Sequence, residues 1–129
     1  MSINKKQTAL DFVPYELALE LKQLGFNEPC LGYYLASTLF ISNDNVYNST
    51  DIPVIKAPLY SQAFRWFREK HDLNSFVYHY GKDGILDIIY FAYNINDNLY
   101  ASDFRTYEEA EIACLRKLIE IVKNKGGNK

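Results

Sequence analysis

Ala57-Pro58-Leu59-Tyr60-Ser61-Gln62-Ala63-Phe64-Arg65-Trp66-Phe67-Arg68-Glu69-Lys70-His71 is the stretch on which the reading of this chain turns. At 100° per residue Leu59, Tyr60, Ala63, Phe64, Trp66 and Phe67 fall on one arc of roughly half the circumference or less. Ser61, Gln62, Arg65, Arg68 and Glu69 fall on the other. Pro58 suits the first turn, where a missing N–H costs nothing. The stretch predicts an amphipathic helix whose apolar face, with four aromatic rings and the only Trp of the chain, packs on a sheet.

Downstream, the pattern changes from helical spacing to alternation. From Ser75 to Tyr80, Phe76, Tyr78 and Tyr80 alternate with Val77 and His79, the period of a strand. Gly81-Lys82-Asp83-Gly84 reads as a hairpin turn. Residues 85–95 are apolar on both faces and predict a central strand. Asn96-Asp97-Asn98 turns the chain into a third strand over 99–104. Thr106-Tyr107-Glu108-Glu109 then has the spelling of a capping box, with Thr106 as the cap and Glu109 at the third helical position. The helix that follows is predicted to bury Tyr107, Ala110, Cys114, Leu118, Ile121 and Val122. A second stripe of Ile112, Leu115 and Ile119 is left for the N-terminal arm or for another subunit.

Upstream, Pro14 opens a helix in which Leu17, Leu21 and Leu24 recur at helical spacing, and Gly25 is placed as its left-handed cap with Phe26 folding back. Tyr33-Tyr34-Leu35 and Thr38-Leu39-Phe40-Ile41 read as strands broken at Ala36-Ser37. Residues 42–56 carry Asn43, Asp44, Asn45, Asn48, Ser49, Asp51 and Pro53 and predict one long loop, with Val54-Ile55 as a short extended piece at most. Residues 1–11 and 125–129 read as flexible ends. The expectation is a single α+β domain over 1–129, in the order α-β-β-α-β-β-β-α, with an antiparallel sheet of three or more strands covered by helices.

The totals bound the function. A chain of 129 residues, 48% apolar and 23% charged, has the composition of a soluble globular domain. A formal net charge of −2 weighs against a protein devoted to gripping nucleic acid. The two cysteines, Cys30 and Cys114, stand far apart with no C-x-x-C or Cys/His cluster, and read as reduced thiols. No signal peptide and no run long enough for a membrane span is present, which predicts a cytoplasmic protein without membrane contact.

Catalytic signals are weak. His71 falls at a helix end, where it favours the dipole, and His79 lies on a strand; neither has a partner at recognisable spacing. Glu20-Leu21-Lys22 has the E-x-K spelling of some nucleases, but on a helix with no Pro-Asp ahead of it. No phosphate-binding glycine loop, nucleophile elbow or zinc-ligand spacing occurs, and Asp83, Asp87, Glu108, Glu109 and Glu111 have nothing to fix them around a cation. The expectation is therefore no enzyme activity, no cofactor and no metal.

The α-β-β-β-α order over 58–124 is similar to the double-stranded RNA-binding domain. That family opens its last helix with a lysine cluster on the duplex phosphates. The matching positions here are Tyr107-Glu108-Glu109-Ala110-Glu111, so each phosphate contact would become a repulsion. The resemblance carries the topology without the residues that bind. For single strands the tyrosines Tyr78, Tyr80, Tyr90, Tyr93 and Tyr100 offer rings, yet the strands carry no Lys or Arg between them.

A second resemblance covers most of the chain. Phe12-Val13-Pro14-Tyr15-Glu16, Leu24-Gly25-Phe26-Asn27-Glu28-Pro29-Cys30-Leu31-Gly32-Tyr33-Tyr34, the stretch Ala57 to Lys70 and Tyr107-Glu108-Glu109-Ala110-Glu111 together resemble a family of short uncharacterised proteins. Bacteriophages and prophages carry them, especially those of Bacteroidetes. The resemblance implies a virus-associated setting in the bacterial cytoplasm and brings no activity, ligand or catalytic residue. The function expected is a non-catalytic accessory binding protein acting through a protein partner or a small-molecule pocket, the latter including one that sequesters a nucleotide signal of host defence. The candidate contact residues are Arg65, Arg68, Tyr78, Tyr80, Tyr93, Tyr100 and Arg105. Nucleic-acid binding by the second half and a small homo-oligomeric structural role are the alternatives.

Overall fold

The computed structural model describes residues 11–41, 54–81 and 89–127. Among them the chain is α+β, with three helices and two three-stranded antiparallel sheets. It divides into two compact units, and the boundary falls between Ala63 and Phe64, inside the second helix.

In the first unit α1 spans Tyr15–Gln23 and buries Leu17, Ala18 and Leu21. Its end follows from Gly25. At φ +102° this glycine takes a turn closed to most side chains, and its N–H reaches the Lys22 carbonyl at 3.1 Å while the Phe26 N–H reaches Leu21 at 3.0 Å. Phe26 and Leu21, the two positions that such a cap pairs, are both buried. Strands β1 (Gly32–Leu35), β2 (Thr38–Ile41) and β3 (Val54–Ala57) form a sheet in the order β2-β1-β3. The break at Ala36-Ser37 is a two-residue hairpin turn with φ of 48° and 65°, joining the Leu35↔Thr38 pair. Val54–Ala57 is thus a full strand pairing with all of β1, not the tail of a loop. The rest of the expected 42–56 loop and the end at 1–10 lie outside the described residues. Tyr34 anchors the core of this unit by donating its buried hydroxyl to the Val13 carbonyl at 2.7 Å.

The helix predicted from the opening stretch forms as α2, Tyr60–His71, with Pro58, Tyr60, Ala63, Trp66 and Phe67 buried and Ser61, Arg65, Arg68 and Glu69 exposed. Asp72 at φ 57° stops it, and the Leu73 N–H returns to the Phe67 carbonyl at 3.1 Å.

The second unit continues with β4 (Ser75–Gly81), β5 (Ile89–Ile95) and β6 (Asn98–Phe104), an antiparallel meander with β5 in the middle, as the two-faced apolar run predicts. The Gly81–Gly84 turn lies outside the described residues beyond Gly81. Asn96 and Asp97, with φ of 50° and 68°, make the second two-residue hairpin turn. Last comes α3, Tyr107–Gly127, which packs on all three strands. Thr106 caps it by accepting the Glu109 N–H on Oγ1 at 3.1 Å. The Glu109 carboxylate returns to the Arg105 N–H at 3.3 Å, one residue outside the position expected of a capping box.

Two expectations for α3 are corrected. Its buried face is Ala110, Cys114, Leu115, Leu118 and Ile119, whereas Tyr107 is 43% exposed and Ile121 and Val122 are half-buried. Leu115 and Ile119 are core residues, so that stripe offers no subunit interface. The helix also runs through Lys125 to Gly127, where a flexible tail was expected from Lys125 onward. The single helix-covered sheet is replaced by two sheets, because β3 pairs with β1 and leaves β4, β5 and β6 to pair among themselves.

Candidate functional site

Strand register sorts the side chains of the second sheet onto two faces. Ser75↔Ile95, Val77↔Tyr93 and His79↔Phe91 share one; Phe76↔Asn94, Tyr78↔Ala92 and Tyr80↔Tyr90 share the other. The first face lies under α3. Tyr93, only 5% exposed, stacks against Phe104 at 6.0 Å and Tyr100 at 6.3 Å, and the Phe91 and Tyr107 rings meet edge to face. Cys114 on α3 is fully buried, and burial pushes its thiol up to about 12 against a weaker opposing pull from the Ser75 hydroxyl. Burial likewise raises the Tyr93 phenol.

The face opposite α3 carries Phe76, Tyr78 and Tyr80 at alternate positions of β4, with Tyr90 beside Tyr80. The Tyr80 and Tyr90 rings stack at 6.0 Å and 27°, and the Arg105 guanidinium lies 5.6 Å from the Tyr90 ring centre. The Tyr80 hydroxyl donates to the Asp103 carboxylate and accepts the Asp103 N–H at 3.0 Å. That carboxylate keeps the phenol protonated and raises its pKa. Phe76, 50% exposed, meets the Tyr78 ring at 5.5 Å, and Leu99, 60% exposed, pairs with Asn94 on the same face. The arrangement is a row of flat rings with hydroxyl tips and one cation at the end. It can stack a planar group, accept or donate hydrogen bonds at its rim and hold one negative charge.

The candidate residues are thus dispersed. Tyr78, Tyr80 and Arg105 share this face. Tyr93 is a correction: it packs beneath α3, because β5 is aromatic on both faces and the helix covers the one with Phe91 and Tyr93. Tyr100, 43% exposed, lies on the α3 side, where the Lys117 ammonium stands 5.7 Å from its ring. Arg65 and Arg68 are exposed on α2, and Arg65 reaches Glu69 at 3.7 Å. Asp103 was not among the candidates, and Tyr90 stood only among the rings offered to single strands. The signal for Asp103 is an acidic residue inside a strand pattern, which marks a bulge better than a ladder position.

The histidines have structural surroundings. His71 packs against the Trp66 ring at 4.8 Å and Phe67 at 5.9 Å, and burial followed by the nearby Lys125 charge lowers its pKa. His79 is exposed, 6.3 Å from the Phe91 ring, on the α3 side of the sheet. In the first unit Cys30 is half-buried, with its thiol pushed up to about 11, mainly by burial. Among the described residues no three His, Cys, Asp or Glu side chains come together as a metal site, and no helix is long and apolar enough to cross a membrane. No protein-family model, curated protein or solved structure matches the chain.

Proposed function

We propose that this protein is a non-catalytic binding module that makes its contacts through the face of the second sheet opposite α3. The cluster of Tyr80, Tyr90 and Arg105 carries the reading. Tyrosine and arginine dominate contact energies at protein interfaces, and rings already fixed on strands lose little freedom on binding. Phe76 and Leu99 extend the cluster with exposed apolar area. A protein partner suits this mixture of flat apolar rings, hydroxyl tips and one guanidinium. The resemblance to phage-borne proteins supports the cytoplasm of a bacterial host as the setting. A small aromatic ligand, such as a nucleotide of host defence, is the alternative occupant of the same rings.

The α-β-β-β-α order of 60–127, with β4, β5 and β6 antiparallel, supports a second reading, a double-stranded RNA-binding shape. The chemistry opposes its function, since Glu108 and Glu109 stand exposed where that family sets its lysines. A gel shift that weakens steeply with salt would support this second reading over the first.

Amide shift mapping tests the first. The labelled protein is titrated with a library of aromatic fragments and short peptides. Shifts are expected to gather at 76–80, 90–94 and 99–105. Shifts gathered on α2 or on the first unit, or none from the whole library, would overturn it.

A further inference from the structure

We propose that the Tyr80 hydroxyl is a latch that holds the left-handed turn at Asp103 and thereby sets Arg105 over Tyr90. Register shows why a latch is needed. Tyr93 pairs with Ala101 and Phe91 with Phe104, so one residue of β5 faces two of β6, a β-bulge at Ser102-Asp103. Within it Asp103 has φ 69°, a conformation that few L residues adopt. A bulge also takes an N–H out of the ladder and re-aims the side chains that follow.

Tyr80 answers both needs although it lies on β4, which does not border β6. Its side chain crosses β5, its hydroxyl accepts the Asp103 N–H at 3.0 Å, and the same hydroxyl donates to the Asp103 carboxylate. Two residues on, Arg105 lies between this bond and the helix cap. Its N–H is held by Glu109, whose own N–H is held by Thr106. Its guanidinium lies over Tyr90, the ring that Tyr80 itself stacks on. Residues 103–109 are thus tied at both ends, by the cap of α3 and by a phenol from the far strand. Without the hydroxyl, the turn at 103 relaxes toward extended backbone and Arg105 leaves the Tyr90 ring. A ligand that competes for the Tyr80 hydroxyl shifts the same equilibrium, which makes the surface two-state.

For its consequence the latch rests on the reading of this face as a contact surface, but its test needs no ligand. Failure of the test leaves that reading standing. Tyr80→Phe keeps the ring and removes the hydroxyl. Amide exchange at Asp103 is expected to quicken by about tenfold or more, with the rest of the β4–β5 ladder unchanged. The Arg105 side-chain protons, shielded by the Tyr90 ring, are expected to move toward free-arginine shifts. Tyr90→Phe, the control, is expected to leave Asp103 exchange as it was. Asp103 exchange within about twofold of the wild type, with Arg105 shifts unchanged, would overturn the proposal. Asp103→Gly is the second variant, read also if Tyr80→Phe does not fold. Glycine holds a positive φ unaided, so the Arg105 shifts should stay near wild type; their loss would show that the turn is not what places Arg105.

Discussion

Tyr93 and Tyr90 are three residues apart on one strand, and the structure gives them opposite fates. Tyr93 is 5% exposed beneath α3, with ring contacts to Tyr100 and Phe104. Tyr90 is half-buried on the other face, with Tyr80 and Arg105 as its neighbours. Truncating a buried aromatic to alanine removes its transfer energy and leaves a cavity, at a cost of about 3–5 kcal/mol. A half-buried ring costs nearer the common value of about 1 kcal/mol. For a unit of this size each kcal/mol lowers the melting midpoint by about 4–8 °C. Tyr93→Ala should therefore melt more than about 12 °C below the wild type, and Tyr90→Ala within about 8 °C of it. Thermal unfolding followed by circular dichroism at the helix band reads both. Equal losses, or a larger loss for Tyr90→Ala, would refute the assignment of faces, and the candidate surface would fall with it.

Other outcomes follow from single sites. Gly25→Ala meets no atom within 4 Å, so its cost is backbone alone, about 1–2 kcal/mol from the positive φ, and Gly25→Asn should recover part of it. In urea this moves the midpoint by about 0.5–1 M; an unchanged midpoint would remove Gly25 from the cap. His71 has its pKa lowered in the fold, so protonation favours the unfolded chain. Its contribution is complete above the ordinary histidine value of 6.5 and is lost as the pH falls below it. Wild-type stability should drop over that range more than that of His71→Phe, and parallel curves would refute the shift. Cys30 and Cys114, pushed up to about 11 and about 12, should react slowly with a thiol reagent at pH 8 and fast in denaturant. Rapid reaction of either thiol in the native protein would contradict its burial.

Much of the fold is legible in the sequence because its signals are local. The Gly25 cap, the Thr106–Glu109 cap and the turn at Asn96-Asp97 each lie within a few residues of chain, and the apolar arc of α2 lies within one 12-residue helix. Pairing is not local. Val54–Ala57 is a four-residue strand next to a polar stretch, and only its partner β1, some twenty residues earlier, makes it one. The split into two sheets follows from that pairing. The surface was half legible. Alternation puts Phe76, Tyr78 and Tyr80 on one face, but β5 is aromatic on both, so sequence alone does not say that α3 covers Tyr93. Asp103 was hidden for another reason: it falls in a bulge with no ladder partner on β5, and the side chain that meets it, Tyr80, comes from a strand that does not border β6.

The second sheet must have one covered face and one contact face. A soluble paramagnetic agent measures this side chain by side chain, through the relaxation of ring protons. Ring protons of Phe76, Tyr78, Tyr80 and Tyr90 should relax strongly, and those of Tyr93 should not. Comparable relaxation of Tyr93 and Tyr90, or protection of the Tyr80–Tyr90 pair, would contradict it.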